Sequence, residues 1–300
     1  MRTAAKTNPT NIMTVAQADG SPPELLTKGN GPGATDIAVT KLRFVGGAHM
    51  QGSFTDPRIS FNLTGSATQS CNWKSSDRTR CHFAVSGSLY VCPSQSDCVI
   101  ETDADIDVLS LTVPVETLGV AIGCCSRPGA HLVERAGEGD RTLLRLGLSL
   151  VREAERGRPN GPLYWTSLAD AVVLHLVRHH LSEIYRPVGG VLSERALQRV
   201  NAYIAASMSE AINLDDLADA AAQSRFHFQR TFARTLGITP HRYVMQLRLK
   251  RAIELIQDGH LPLKAIAADT GFVDQSHLSR WARKAYGMRL TEFRGRALVA

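Results

Sequence analysis

Residues 214–294 are written twice, and this duplication constrains the fold more than any other feature of the chain. Leu217-Ala218 ahead of Phe228-Gln229-Arg230 recurs as Ile266-Ala267 ahead of Leu278-Ser279-Arg280. Seven residues after each arginine stands a glycine, Gly237 and Gly287, and six further on an aromatic, Tyr243 and Phe293. Leu217 and Ile266 are 49 residues apart whereas Arg230 and Arg280 are 50 apart, so the second copy carries one extra residue in its inner turn.

Each copy reads as a helix-turn-helix. In the first, Asn213 suits a helix cap, Asp215 and Asp216 fall where the helix dipole favours anions, and Leu214, Leu217, Ala218 and Ala221 make an apolar stripe. Ser224 can cap a second helix whose Phe228 and Phe232 face inward, which leaves Phe226, Gln229, Arg230 and Ala233 outward. In the second copy Pro262 suits a helix start, Ile266 and Ala267 face the core, Gly271 makes the turn, and Asp274 caps a helix beginning Gln275-Ser276-His277. Its outer face is Ser276, Ser279, Arg280 and Arg283. Between the copies, 240–258 has helical spacing and predicts a rod roughly 27 Å long. Such a rod can hold two reading heads about one DNA turn apart, ~34 Å, on one face of a duplex.

These residues resemble the AraC/XylS family of bacterial transcription regulators. The resemblance rests on Arg230 with Phe232, Gly237-Ile238-Thr239-Pro240 with Tyr243, Arg248-Leu249 with Ala252, Ile266-Ala267 with Gly271-Phe272, Asp274 with Ser276, and Arg280 with Gly287. It covers roughly the last 105 residues. The chain departs from the family pattern twice, with Ala282 in place of an aromatic (Trp281 adjoins it) and Leu290 in place of a proline. The resemblance implies a cytoplasmic, nucleoid-associated regulator with no catalytic role, expected to touch RNA polymerase beside a promoter and so to activate more often than repress.

Charge agrees with a nucleic-acid partner. Residues 193–300 hold 16 Lys+Arg against 10 Asp+Glu, while residues 1–192 hold 18 of each, so the net charge of +6 arises entirely in the C-terminal third. The expected DNA contacts are Ser224, Arg225, Phe226, Gln229 and Arg230 in the first copy and Gln275, Ser276, Ser279, Arg280 and Arg283 in the second. A guanidinium grips guanine O6 and N7 with two parallel bonds or clamps a phosphate, and this makes Arg230 and Arg280 the leading pair. Gln229 and Gln275 are suited to adenine or simply to solvent, and Phe226 to a thymine methyl or to a local staple. Arg225, Arg283 and Lys284 suit phosphates, which fix register without reading sequence.

The remaining chain divides by composition. At 300 residues and 43% hydrophobic content it can build two domains with cores, and it is neither disordered nor fibrous. Residues 1–35, rich in Thr, Asn, Gly and Pro, predict a mobile arm. Residues 36–186 form the expected sensing and dimerisation domain, 187–192 the linker, and 193–300 the DNA-binding domain. Candidate strands are 37–45, 59–63, 82–85, 88–92, 98–102 and 106–113, a pattern that favours a small barrel or sandwich. Residues 141–186 return to helical period, with a broad apolar stripe from Trp165 to Val177 that suits either internal packing or pairing with a second chain. The fold class expected is α+β: through the resemblance, a cupin-like β-barrel with a helical dimerisation segment, then an all-α domain of two helix-turn-helix motifs joined by a linker helix.

No secretory signal or membrane-length apolar run is visible, so the six cysteines are read as thiols. Cys71, Cys81, Cys92, Cys98, Cys124 and Cys125 match no standard zinc spacing, which leaves a soft-metal or thiol sensor as a minor alternative to ordinary buried strand positions. His175, His179 and His180 lack an acid or cysteine at ligand spacing, and His49 and His82 stand alone without the His-x-His and Glu of metal-dependent cupins. No metal, cofactor or catalytic group is therefore expected, although a cupin-type enzyme fused to a DNA-binding domain stays as a distant alternative. A small-molecule effector, promoter DNA, RNA polymerase and a second copy of the chain are the expected partners. The other reading of the N-terminal domain is that it only oligomerises.

Overall fold

The computed structural model describes residues 12–16, 21–33, 37–73, 78–94, 96–182 and 190–294. Two compact units emerge, and they do not follow sequence order: one comprises residues 1–30, 37–113 and 132–157, the other 31–36, 114–131 and 158–300.

The first unit is built on two antiparallel sheets. Its strands are β1 (Ile12–Ala16), β2 (Glu24–Asn30), β3 (Ala38–Phe44), β4 (His49–Phe54), β5 (Arg58–Asn62), β6 (Ala67–Trp73), β7 (Arg78–Ala84), β8 (Ser88–Cys92), β9 (Ser96–Thr102), β10 (Ile106–Thr112) and β11 (Arg135–Gly139). Five strands run in the order β1-β4-β9-β6-β7 and six in the order β11-β8-β5-β10-β3-β2. Residues of β8 and β10 are buried almost throughout because these strands lie inside the larger sheet with neighbours on both sides. Phe54 and Ala84 from the smaller sheet pack with Tyr90 and Cys92 from the larger, and Ala67 packs with Leu42, Phe44, Ile106 and Val108, so the core lies between the sheets. The Tyr90 hydroxyl donates to Gln69 Oε1, which satisfies two polar groups inside that core. Among the described residues neither sheet closes on itself.

Helix α1 (Val115–Cys124) belongs to the second unit, and α2 (Arg141–Glu155) to the first. Asp140 caps α2 by accepting from the Leu143 amide at 2.9 Å, and the predicted stripe buries Leu143, Leu150 and Val151. Gly147 sits so close to β10 that a Cβ there would stand 2.9 Å from a Leu109 methyl.

The mobile arm expected over residues 1–35 needs correcting, because β1 pairs with β4 and β2 with β3. The physical reason is non-local: neither segment has a strong alternation of its own, and each is ordered by hydrogen-bonding to a strand distant in sequence. The other part of that expectation, residues 1–11, 17–20 and 34–35, lies outside the described residues, as do 187–189 of the expected linker.

The second unit is helical: α1, α3 (Gly161–His179), α4 (Glu194–Ala206), α5 (Leu214–Ala220), α6 (Arg225–Leu236), α7 (Pro240–Asp258), α8 (Leu263–Asp269), α9 (Gln275–Tyr286) and a 3-10 turn at Leu290–Phe293. Trp165, Val172, Val173, Leu176 and Val177 of α3 are buried, whereas Tyr164 and Leu174 remain exposed. Phe228, Phe232 and Tyr243 stack in sequence with ring centroids 5.3 Å apart at each step, locking α6 onto α7. Burial raises the Tyr243 phenol pKa, and its hydroxyl donates to Asn201 Oδ1 at 2.9 Å, tying α7 to α4.

Candidate nucleic-acid interface

Both predicted helix-turn-helix units form, and their local chemistry explains where each helix starts and stops. Asn213 Oδ1 accepts from the Asp216 amide at 2.9 Å while the Asp216 carboxylate accepts from the Asn213 amide at 2.9 Å, a reciprocal cap for α5. At α9 the Asp274 carboxylate accepts from the His277 amide at 2.6 Å. Ser224 occupies the cap position of α6, but its side chain makes no capping bond, so its hydroxyl stays exposed.

The two inner turns share one hydrogen-bond pattern. The Gln223 amide donates to Ala218 O at 3.0 Å, and the Phe272 amide to Ala267 O at 2.8 Å. The left-handed position between them is Gly271 in the second copy, with φ +70°, and Ala222 in the first, with φ +54°. An L residue there is strained by about 1–2 kcal/mol, while glycine is not. The extra residue of the second copy falls just after this position. Phe272 turns into the core at 4% exposure, and Val273 is pushed outward to 88%.

Arg248 on α7 holds this arrangement from inside. It is 7% exposed and donates through Nη1 to Gly271 O at 2.9 Å and through Nη2 to Glu210 O, so one guanidinium ties the second turn to the segment that leads into the first head. Desolvation lowers its pKa, and its Nε has no partner among the described residues. Arg199 on α4 acts similarly at the end of α5, donating to Ala220 O at 2.7 Å and Ala221 O at 3.0 Å. The Leu192 amide donates to the buried Thr235 hydroxyl at 2.9 Å and fixes the chain entering α4 against α6.

With the helices set this way, the residues expected to meet DNA divide by exposure. Ser224, Arg225, Phe226, Gln229 and Arg230 all stand exposed on α6, Phe226 at 79%. Gln275, Ser276, Arg280 and Arg283 are exposed on α9, and Ser279 is half-buried. Arg225 is engaged by Asp215 at 3.3 Å, whereas Arg230, Arg280 and Arg283 carry no ion pair among the described residues. A cleft of about 610 Å³ between the heads is bounded by Gln229, Thr239, Arg248, Val273 and His277. Sequence reasoning missed Val273; the one-residue step in the repeat was the signal that could have found it.

The two departures from the family pattern are both accommodated. Ala282 and Leu290 are buried at 0% and 4% in a core of Leu249, Ile253, Ile266, Leu278, Met288 and Phe293, and Trp281 packs at its edge while donating to His277 Nε2 at 3.1 Å. Phe228 and Leu278 are the matching inward residues of α6 and α9, each at 0% exposure.

Among the chemistry-bearing residues outside the heads, Cys92 is buried, and Cys124 and Cys125 are exposed free thiols. Although the Cys124 residue is exposed, desolvation by surrounding protein raises its thiol pKa, which disfavours the reactive thiolate. The side chains of Cys71, Cys81, Cys98, His49 and His82 lie outside the described residues. No helix is long and apolar enough to cross a membrane among the described residues.

Comparison with known proteins points the same way. A family model described as a helix-turn-helix domain matches residues 217–296. The transcriptional regulator GbdR of Pseudomonas aeruginosa is 28% identical over 134 residues, covering 44% of this chain and 36% of its own. LumQ of Photobacterium leiognathi, a probable transcriptional regulator by name, is 32% identical over 108 residues, 34% of this chain and 44% of its own. The transcriptional activator RhaS of Escherichia fergusonii is 29% identical over 102 residues, 34% of this chain and 37% of its own. The chain thus spans less than half the length of these curated relatives in the matched region. Among solved structures, an AraC-type DNA-binding domain protein of Chromobacterium violaceum is 28% identical over 33% of this chain and 88% of its own, with a TM-score of 0.31. Residues 217–296 thus carry a helix-turn-helix domain similar to that of these transcriptional regulators.

Proposed function

We propose that this chain is a sequence-specific DNA-binding transcription regulator that places α6 and α9 in successive major grooves. The observation that carries the reading is the pair of exposed helix faces, Arg230 on one and Arg280 on the other, in equivalent positions of the repeat and without ion-pair partners among the described residues. Two donors on each guanidinium match guanine O6 and N7, and the adjacent Gln229, Gln275, Ser276 and Ser279 complete a polar reading surface. Phe226 and Val273, large apolar groups left in solvent at the leading edges of the two helices, suit thymine methyls. Arg225 and Arg283 take phosphates, and Arg225 gives up Asp215 to do so.

In this division of labour residues 36–186 sense and dimerise, 187–192 link, and 193–300 bind DNA. The two facing sheets of the first unit serve as a cupin-like binding fold for a small-molecule effector, with the chain acting as a homodimer in the cytoplasm. Promoter-proximal contact with RNA polymerase makes activation the favoured output, in line with the activator name of the RhaS relative. Ligand control is a population shift, so the effector must bind the DNA-competent arrangement more tightly than the other.

Selection of DNA by the full chain, followed by footprinting, tests the reading. Two protected major-groove segments ~10 bp apart are expected. Failure to enrich any sequence at low or moderate salt would overturn it.

A further inference from the structure

The helical unit holds a second cavity that the DNA-binding reading does not use. It has a volume of about 360 Å³ and lies between α1, α3 and the linker helix α7, within the size range of small-molecule sites. Val120, Val173, Leu174, Ile253 and Phe293 form an apolar wall, and Leu174 is 44% exposed although it faces this space. Polar side chains also line it. Thr166 and Asp170 lie one turn apart on the same face of α3, and both line the cavity. Among the described residues the Thr166 hydroxyl, buried at 4% exposure, has no hydrogen-bond partner, and the amide nitrogen of Gln257 on α7 is likewise buried and unpartnered. Asp170 remains reachable by water through the mouth, yet protein crowds it enough that desolvation raises its pKa to about 6, with Lys250 the charge that opposes the shift. The other charged group on this wall, Glu254, is already paired with Arg251 at 3.1 Å.

An ammonium offers three donors and no acceptor, and it is the group that two acceptors one helical turn apart can hold together. A carboxylate ligand would instead face Asp170. We propose that this cavity binds a small amphipathic amine, its ammonium held by Asp170 and Thr166 and its apolar body against Val173, Ile253 and Phe293. Lys250, Ile253, Glu254 and Gln257 share one face of α7, so an occupant touches at once the helices α1 and α3 and the rod that spaces the two heads. A consequence for regulation follows, which alone rests on the regulator reading: the amine changes DNA affinity, and DNA changes amine affinity by the same factor.

The test is calorimetric titration of the full chain at pH 7.5 with n-octylamine and phenethylamine, against n-octanol and octanoate as matched neutral and anionic probes. Saturable one-to-one binding of an amine is expected, at least ~10-fold tighter than octanoate, a difference of about 1.4 kcal/mol. Asp170→Asn should weaken the amine by a similar factor and leave octanol unchanged. Ala121→Leu, which narrows the cavity without altering its charge, should weaken every probe. No saturable amine binding, equal affinity for amine and octanoate, or indifference to both substitutions would overturn the proposal. DNA selection with the same preparation separates the two claims: specific DNA binding without amine binding removes only the cavity, and amine binding without specific DNA removes only the regulator.

Discussion

Replacing Arg248 with methionine keeps most of the side-chain volume and removes every donor. The guanidinium is 7% exposed and donates to two backbone carbonyls, Gly271 O and Glu210 O, in segments that belong to different heads. Hydrogen bonds from charged donors contribute about 1.5–3 kcal/mol each, so the gross loss is roughly 3–6 kcal/mol. Relief opposes it, because the native guanidinium is desolvated and its Nε is unpartnered. A net cost of about 2–4 kcal/mol remains, which lowers the melting temperature of a unit of this size by roughly 5–15 °C. Thermal unfolding of the full chain followed by circular dichroism reads this, and Arg248→Lys, able to keep one bond, should lie between the two. Below its melting point the methionine variant should bind DNA more weakly, since the Gly271 turn sets α9, but with an unchanged salt slope because Arg248 touches no phosphate. A melting temperature within ~2 °C of the parent, or a slope reduced by about one, would refute the argument.

Other substitutions probe separate links. Ala222→Gly relieves the left-handed strain at φ +54° and should stabilise by up to about 1 kcal/mol after the entropy cost of glycine, seen as a higher denaturation midpoint; a lower midpoint would contradict it. Ala282→Phe restores the family's aromatic but enters a filled core, so a loss of about 1–3 kcal/mol is expected rather than a gain in chemical denaturation. Asp170 has a folded pKa above its unfolded value, so the native state binds more protons between about pH 4 and 6 and stability falls as pH rises through that window. Asp170→Asn should match the parent at pH 4 and exceed it at pH 7 by no more than about 1 kcal/mol, the carboxylate being well exposed to screening solvent.

What the sequence disclosed follows the range of the interactions involved. The heads were legible because their determinants are local: Asn213 and Asp274 cap within one turn, Phe228 and Phe232 lie four apart, and Gly237 and Gly287 end α6 and α9 in left-handed conformations. Strand β8 was read to its ends because Leu89, Tyr90 and Val91 are strong β-formers between clear turns. Strands β4 and β6, His49–Phe54 and Ala67–Trp73, are mostly polar and exist through their ladders to β9, which no local pattern announces. Arg248 entered only as part of a family resemblance, and its role as a tie between the heads depends on two carbonyls 23 and 38 residues away. The cavity beside α7 was invisible for the same reason, since its walls come from three helices separated by long stretches of chain.

The central claim is that both heads read DNA through equivalent arginines. Footprinting of the full chain on its selected sequence, with Arg230→Ala and Arg280→Ala measured in parallel across a salt series, tests it most directly. Two protected segments ~10 bp apart are expected, with each substitution erasing a different one and costing about 1–3 kcal/mol. Protection of a single segment that survives either substitution would contradict the account.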